Sequence, residues 1–279
     1  MKLVRFGDKG VEKPGIIDAV GNVRSLEGQV RDIDGATLSE SALSKISSIE
    51  LDSLPIVEGE RLGVPIAGIG KIICIGLNYS DHAAEAGMEV PPEPVIFTKA
   101  TSAINGPYDN VLLPRGSEKT DWECELAVVI GKEAKYVAEE DSFDYIAGYT
   151  ILNDVSERAY QIERAGQWVK GKSCDTFAPI GPWLVTKDEV PDPQNLSMWL
   201  DVNGTRFQEG TTKTMVYGVR HLVSYLSQFM SLQPGDIIST GTPPGVGMGQ
   251  KPPVYLKAGD EMTLGIQGLG VQKQRVIVD

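Results

Sequence analysis

The sequence predicts an α+β fold that is mostly β, with a few short helices at its periphery. From residue 69 onward, apolar runs rich in Val, Ile and Leu are repeatedly interrupted by Gly, Pro, Asn and Asp, a pattern typical of strands joined by turns. Only three stretches, 80–86, 154–165 and about 214–230, have the character of helices. Because strands and helices do not alternate along the chain, a doubly wound parallel sheet is not expected.

The chain divides into two predicted parts. Residues 1–68 contain short strand-like pieces and no cluster of candidate catalytic groups, so we expect a small β-rich N-terminal domain there. Residues 69–279 contain every candidate functional motif and form the expected catalytic domain. Within this second part, Asn203-Gly204 predicts a β-hairpin whose turn requires positive φ.

Composition and charge limit the classes of function. A net charge of −12 argues against nucleic acid or an anionic membrane as a partner, because both favour basic surfaces. No apolar run is long enough to span a bilayer, and Met1 begins no recognisable signal peptide. The three cysteines, Cys74, Cys124 and Cys174, form no CxxC pair and suit a reducing compartment. We therefore expect a cytoplasmic protein.

The segment KTDWECELAVVIGK places two glutamates, Glu123 and Glu125, on the same face of a predicted strand. Two adjacent like charges cost stability unless a metal, a basic side chain or water separates them. With Asp154 they would form an all-oxygen ligand set that suits Mg²⁺, Mn²⁺ or Ca²⁺. A zinc site is improbable, because the chain has only two histidines and its cysteines lack the spacing of zinc ligands. Because E-x-E is common in strands, the spacing by itself leaves these possibilities open.

The segment after Asn153 permits two interpretations. Asp154 and Glu157, three residues apart, resemble a capping box at an ordinary helix start. On such a helix, Asp154, Arg158 and Gln161 would lie on one face. That face would either line a polar site or form a solvated surface with an i,i+4 ion pair.

A short helix with a candidate proton-transfer pair is predicted in GLNYSDHAAEAG, where Gly ends the helix before a Pro-rich loop. His82 and Glu85, at i and i+3, would lie within hydrogen-bonding range, and the carboxylate would let the other ring nitrogen activate water. The alternative is a surface histidine on a short polar helix. Its Gly and Pro boundaries also give this helix the character of a movable lid.

Two further segments carry weaker signals. Lys172, in WVKGKSCDTF, would ordinarily be a solvated cation, but beside a metal site it would stabilise a developing oxyanion. The Gly-rich STGTPPGVGMG lacks the spacing of phosphate-binding loops, although its amides and the Thr242 hydroxyl could hold a substrate carboxylate. A nucleophile elbow is not recognisable, so covalent acyl-enzyme chemistry has little support.

Six motifs in this order closely resemble the fumarylacetoacetate hydrolase family: GLNYSDHAAEAG, DWECELAVVIGK, GYTILNDVSERAYQ, GKSCDTFAPIGP, LQPGDIISTGTPPGVG and AGDEMTLGIQGLG. The resemblance covers about residues 69–279. It implies a mixed β-sandwich roll, usually dimeric, that binds a divalent cation, Mg²⁺ with Mn²⁺ or Ca²⁺ as alternatives. It implies metal ligation by Glu123, Glu125 and Asp154, and catalytic roles for His82, Glu85 and Lys172. The positions implied to contact substrate are Arg158, Gln161, Thr242 and Lys99.

The implied activity is Mg²⁺-dependent hydrolysis of the C3–C4 bond of a 2,4-diketo acid, giving pyruvate and a carboxylic acid. The expected substrate is a small acylpyruvate or 2,4-diketo-3-deoxy sugar acid, and the expected assembly is a homodimer. The same scaffold serves ureidoglycolate lyases, 2-oxo-acid decarboxylases and isomerases, so fold alone does not choose among them. Ureidoglycolate lyase is the first alternative and decarboxylase the second. A non-catalytic metal-binding protein is disfavoured because the whole set of motifs is present.

Overall fold

The computed structural model describes residues 1–85 and 89–279, with the side chains of residues 82–84 outside the description. Eighteen strands lie in these ranges: β1 (Lys2–Phe6), β2 (Lys13–Ile17), β3 (Val23–Ser25), β4 (Ile56–Val57), β5 (Ile72–Gly76), β6 (Val95–Lys99), β7 (Ile104–Asn105), β8 (Val111–Leu113), β9 (Thr120–Asp121), β10 (Cys124–Ile130), β11 (Ile146–Asn153), β12 (Ser156–Glu157), β13 (Ala178–Thr186), β14 (Ser197–Val202), β15 (Thr205–Thr211), β16 (Ile237–Ser239), β17 (Glu261–Ile266) and β18 (Gly270–Val278). The described α-helices are α1 (Glu40–Ser47), α2 (Ser80–Glu85), α3 (Arg158–Ile162), α4 (Val169–Lys172) and α5 (Val219–Ser227). Short 3₁₀ helices cover Leu51–Ser53, Thr101–Ala103, Glu139–Tyr145, Lys187–Glu189, Thr212–Thr214 and Gly247–Gly249.

The strands form two mixed sheets and one short ladder. The larger sheet has the order β4-β3-β2-β1-β13-β11-β10-β16-β5-β6, with β7 beside β13, and the smaller has the order β15-β14-β17-β18-β8. Most neighbours are antiparallel, whereas the pairs β5–β16, β7–β13 and β8–β18 are parallel. Strand β10 of the larger sheet packs against β14 and β17 of the smaller one. The predicted mostly-β fold with a mixed β-sandwich roll is confirmed.

The centre of the larger sheet determines where polar groups can meet. Every residue of β10 and β11 is buried, as expected for apolar strands that are covered on both faces. The two strands are antiparallel, with Cys124 opposite Asn153. The start of β10 and the end of β11 therefore lie side by side, and the acidic residues there are enclosed by protein.

The N-terminal strands extend the larger sheet. Strand β1 pairs antiparallel with β13, with Leu3 opposite Leu184. Arg61 also joins the N-terminal residues to the later chain, because its guanidinium bonds both carboxylate oxygens of Asp109, at 2.7 and 2.5 Å, and Glu12 at 3.1 Å. The division into domains after residue 68 stays a prediction.

Two of the described helices are shorter than the sequence predicted. Helix α3 begins at Arg158 rather than at 154, because β11 continues to Asn153 and Ser156–Glu157 then pairs with β9. The Glu157 carboxylate caps α3 by accepting from the amide of Ala159 at 3.1 Å. Helix α5 covers Val219–Ser227 rather than 214–230, and α2 is described to Glu85. Of the helices in the described ranges, none has the length and apolar character needed to cross a membrane.

The predicted hairpin is confirmed between β14 and β15. Asn203 and Gly204 form its two-residue loop with φ values of 51° and 77°. Positive φ at both positions matches the turn type whose twist suits antiparallel strands.

One buried amide, that of Asn78, joins three chain segments at the edge of the larger sheet. Its Nδ2 donates to the carbonyl oxygens of Tyr217 at 3.0 Å and Thr240 at 2.8 Å, and its Oδ1 accepts from the Tyr217 amide at 2.9 Å. Asn78 follows β5 and Thr240 follows β16, so these bonds fix the carboxyl ends of two parallel neighbours. Leu77 lies beside this junction with a φ of 53°, which is uncommon for leucine.

Replacing Asn78 by aspartate should destabilise this junction while preserving its shape. The substitution points a carboxylate oxygen at two carbonyl oxygens in a buried position, so we expect the free energy of unfolding to fall by at least about 1–3 kcal/mol. Urea denaturation measures the change. Asn195→Asp, at an exposed position, makes the same change in charge and serves as the control. Equal effects of the two substitutions would contradict the role given to Asn78.

Candidate functional site

Three buried carboxylates meet at the end of the larger sheet. Glu123 directly precedes β10, Glu125 lies within it, and Asp154 directly follows β11. The amide of Asp154 donates to the carbonyl oxygen of Glu123 at 2.9 Å, which fixes the two segments relative to each other. One carboxylate oxygen from each of the three residues lies within 4.8 Å of the others. The structure therefore brings together the three acids that the sequence singled out.

Two buried lysines partly compensate this negative charge. The ammonium of Lys172, at the end of α4, lies 2.6 Å from Glu123 Oε2 and 2.7 Å from Asp154 Oδ2. The ammonium of Lys99, at the end of β6, lies 2.5 Å from Asp154 Oδ1 and donates to the Val155 carbonyl oxygen at 3.0 Å. Because a buried carboxylate without a partner is costly, these contacts are needed for the site to fold.

Arg158 supplies the third cation from the first turn of α3. Its Nε donates to Asp121 Oδ2 at 2.8 Å, one terminal nitrogen donates to Glu123 Oε1 at 2.7 Å, and the other donates to Gln161 Oε1 at 3.1 Å. Arg158 and Gln161 thus share a helical face that points into the site. The prediction that Asp154 belongs to the same helical face is wrong, because Asp154 reaches the site from the end of β11.

The electrostatics of the cluster suit a divalent cation. Burial raises the pKa of Glu125 well above its ordinary value, and the neighbouring charges of Asp154 and Glu123 raise it further. Burial opposes the charge of Lys172, but the two carboxylates it bonds keep its pKa above the usual range. With Asp121 included, four carboxylates face three cations. A dication among them would offset the excess negative charge and the repulsion felt by Glu125.

A cavity of about 320 Å³ opens beside these groups. Glu123, Glu125, Arg158, Gln161, Lys172 and Thr242 line it. A larger cleft of about 810 Å³ lies elsewhere, beside α1. Among the residues that the structure describes, the acid cluster is the one group of three side chains placed to hold a metal, so we assign the candidate site to the smaller cavity.

Thr242 lines the cavity, but its hydroxyl is bonded within the protein. The hydroxyl donates to the Cys124 carbonyl oxygen at 2.9 Å and accepts from Gln208 Nε2 at 2.8 Å. Gln208 Oε1 in turn accepts from the Cys124 amide at 2.9 Å. These bonds fasten the chain after β16 to the start of β10, which is where the acids lie.

Helix α2 is joined to the Gly-rich loop through Glu85. Both carboxylate oxygens of Glu85 accept from the amide of Gly245, at 3.0 and 3.2 Å. The same loop contributes Gly241, Thr242 and Met248 to the cavity. The side chain of His82 lies outside the described residues, so the predicted His82–Glu85 pair stays a prediction.

Asp121 is the polar residue that the sequence analysis missed. It is fully buried, and besides Arg158 its carboxylate accepts from the amides of Gly247 at 2.6 Å and Met248 at 3.0 Å. Asp121 therefore holds both the arginine and the Gly-rich loop in place. The sequence contained an indication of this role. Asp121 precedes Glu123 by two residues, which is the same spacing that places Glu123 and Glu125 on one face of an extended chain.

Comparisons with known proteins agree on one family. Residues 71–277 match the family model described as "Fumarylacetoacetate (FAA) hydrolase C-terminal". A protein of Burkholderia cenocepacia, provisionally named a hydrolase, is 60% identical over 277 residues, which cover 99% of this chain and 98% of that protein. The structure of fumarylacetoacetate hydrolase from Exiguobacterium antarcticum is 36% identical, with a TM-score of 0.89 and full coverage of both chains.

A further solved structure bears on chemistry. Maleylpyruvate hydrolase from Sphingobium sp. SYK-6, in complex with manganese(II) ion and pyruvate, is 30% identical with a TM-score of 0.84, covering 100% of this chain and 99% of that one. Both hydrolases and isomerases occur among the similar structures.

Replacing Glu125 by glutamine should separate metal binding from folding. Glutamine keeps a carbonyl oxygen for the donors Ser239 Oγ, at 2.6 Å, and Gly241 N, at 2.9 Å, but it removes a buried charge and an anionic ligand. In EDTA we expect an unchanged or higher Tm. The increase in Tm on adding Mg²⁺ or Mn²⁺ should be lost, since metal at 100 times Kd contributes about 2.7 kcal/mol to a protein that binds it.

The control for this measurement is Glu209→Gln, which removes the same charge from an exposed position of β15. Differential scanning calorimetry with and without metal measures the Tm in EDTA and the increase in Tm on adding the ion. A metal-dependent increase in the Glu125→Gln variant equal to that of the wild type would exclude Glu125 as a ligand.

Proposed function

The chain belongs to the fumarylacetoacetate hydrolase family, and from this premise we propose that it hydrolyses the C3–C4 bond of 2,4-diketo acids to pyruvate and a carboxylic acid. The observation that carries the proposal is the buried cluster of Glu123, Glu125 and Asp154, of which Glu123 and Glu125 line one cavity together with Lys172. The similar maleylpyruvate hydrolase, solved with manganese(II) ion and pyruvate, supports an acylpyruvate as the substrate class.

Glu123, Glu125 and Asp154 would hold the cation, which we propose to be Mg²⁺, with Mn²⁺ or Ca²⁺ as alternatives. Three carboxylates form the hard, all-oxygen donor set that these ions prefer. When bound, the ion supplies a template and a Lewis acid for the carboxylate and 2-oxo oxygens of the substrate.

Lys172 would stabilise the negative charge that develops on the substrate. An ammonium has three donors, and two of those of Lys172 bond Glu123 and Asp154, which leaves one to bond the 2-oxo oxygen. In a buried, low-dielectric site a fixed cation of this kind lowers the barrier more than it would in water. Arg158 and Gln161 would orient the substrate, with Arg158 itself held by Asp121.

His82 and Glu85 would carry out the proton transfers from α2. His82, polarised by Glu85, would take a proton from the water that attacks the C4 carbonyl. As the C3–C4 bond breaks, its electron pair passes to the pyruvyl fragment, which is then protonated at C3 to give pyruvate. The acyl fragment leaves as the carboxylic acid. Lys99, expected from the resemblance to contact substrate, is buried and does not line the cavity, so it would instead hold Asp154 in place through its 2.5 Å ion pair.

The remaining parts of the proposal rest on the sequence. We infer a cytoplasmic homodimer that acts on a small-molecule acid, with residues 1–68 as an N-terminal domain and residues 69–279 as the catalytic domain.

Acetylpyruvate is the first substrate to test. We expect the enol absorbance to be stable with EDTA-stripped protein and to decay once Mg²⁺ or Mn²⁺ is restored, with equal amounts of pyruvate and acetate formed. His82→Ala should lower kcat by about 10²–10⁴, the contribution usual for general acid–base catalysis. The variant should keep the metal-induced increase in Tm, because His82 is not among the proposed ligands.

Other products would identify other reactions. Urea released from ureidoglycolate, with every diketo acid inert, would replace the proposal with the lyase. Carbon dioxide released from a 2-oxo acid without loss of activity in His82→Ala would indicate a decarboxylase. Metal binding with no turnover of any of these compounds would indicate a binding protein.

A further inference from the structure

The cavity beside the acids has two chemically different ends. Its charged lining groups form one cluster, because Glu123 bonds both Arg158 and Lys172, and a carboxylate oxygen of Glu125 lies within 4.8 Å of one on Glu123. The other large side chains that line the cavity are mostly hydrocarbon: Ile75, Leu77, Phe97, Ile162, Trp168 and Met248.

The apolar wall begins directly beside the catalytic lysine. The ammonium of Lys172 lies 5.0 Å from the ring centre of Phe97, and Phe97 meets Trp168 edge to face with ring centres 5.2 Å apart. Trp168 also approaches Gly76 so closely that a Cβ there would lie 2.6 Å from the indole ring. Glycine at position 76 therefore lets the indole pack against the strand end and form part of the wall.

Two polar groups of the lining, the Arg158 guanidinium and the Thr242 hydroxyl, are already bonded within the protein. The guanidinium of Arg158 bonds Asp121, Glu123 and Gln161. The Thr242 hydroxyl is held as described above, between Gln208 and Cys124. Among the lining residues that the structure describes, Arg158 and Lys172 are the cations, and both belong to the charged end. A second carboxylate held against Phe97 and Trp168, short of the exposed rim at Ile162, would lose hydration without gaining a partner among the described lining residues.

The size of the cavity leaves room for a chain. At about 30 Å³ for each water molecule of the liquid, 320 Å³ corresponds to about ten waters. The pyruvyl part of a diketo acid has six non-hydrogen atoms. Several further carbons can therefore lie along the wall formed by Phe97 and Trp168, toward Ile162, which is 49% exposed at the rim.

We infer that the site is specific for acylpyruvates whose acyl group is an alkyl or aryl chain, and that it discriminates against acyl groups that end in a carboxylate or carry several hydroxyls. Phe97, Trp168 and Ile162 are the residues that determine this specificity. The inference rests on the proposed function, because the charged end must bind the 2-oxo acid.

Binding of stable 2-oxo acids tests the inference without requiring turnover. Isothermal titration calorimetry on Mg²⁺-loaded full-length protein would compare pyruvate, 2-oxohexanoate, 2-oxooctanoate and 2-oxosuberate, the last having the chain of 2-oxooctanoate with a terminal carboxylate. We expect Kd to fall by about fourfold for each methylene buried, until the cavity is filled. The dicarboxylate should bind at least tenfold more weakly than 2-oxooctanoate.

A charge introduced at the rim should reverse this preference. Ile162→Lys places a cation at the apolar end, so 2-oxosuberate should become the tighter ligand of that variant. Ile56→Lys is the matched control, because Ile56 is also 49% exposed and does not line the cavity. The control should retain the wild-type order.

The outcomes separate the inference from the proposed function. The wild-type protein could bind pyruvate and turn over acetylpyruvate, yet bind the dicarboxylate as tightly as 2-oxooctanoate or more tightly. That result would overturn the proposed specificity and leave the proposed reaction in place. If pyruvate does not bind to the metal-loaded protein, both fail. Tighter binding along the alkyl series together with inert acetylpyruvate would support the apolar end and overturn only the hydrolysis.

Discussion

The structure depends on the burial of several negative charges in one place. Glu123, Glu125 and Asp154 lie together in the interior, where a carboxylate without a partner would cost several kcal/mol. The compensating cations come from separate elements: Lys99 from β6, Lys172 from α4 and Arg158 from α3. Each of these elements is consequently fixed in position by the charge it must neutralise. The same excess of buried negative charge favours binding of a dication. The charge that fixes these elements in the fold is therefore also the charge that would bind the metal.

The sheet supplies the rigidity that such a cluster needs. The acids stand at the start of β10 and the end of β11, two fully buried neighbours whose register is set by their ladder. Around them, three buried polar side chains fasten loops to the sheet: Asn78 joins the ends of β5 and β16, Gln208 joins the Gly-rich loop to β10, and Asp121 joins that loop to α3. Loops held in this way can carry functional groups at defined positions, although the loop backbone is irregular.

The proposed chemistry uses the contrast between the two ends of the cavity. The charged end offers donors and acceptors for a 2-oxo acid, and the apolar end offers a hydrocarbon wall to the group beyond C4. Phe97 belongs to both, because its ring centre lies 5.0 Å from the Lys172 ammonium and the ring meets Trp168 edge to face. A low local dielectric strengthens the interaction of Lys172 with a developing negative charge. The wall that we propose to select the acyl group would therefore also assist the step in which the bond breaks.

The sequence by itself determined the mostly-β fold, the Asn203-Gly204 hairpin and the identity of the three clustered acids, and its motifs identified the family. These features depend on short-range sequence patterns, because side chains alternate along a strand and tight turns require particular residues. Helix lengths were overestimated, and Asp154 was placed on a helix, because capping patterns do not reveal that a strand continues to Asn153. Only the tertiary structure decided that Asp121 holds Arg158, that Lys99 meets Asp154, and that Phe97 and Trp168 form one wall. Contacts between residues 37 to 71 positions apart depend on sheet register and on the packing of separate elements, and no local pattern in the chain records either.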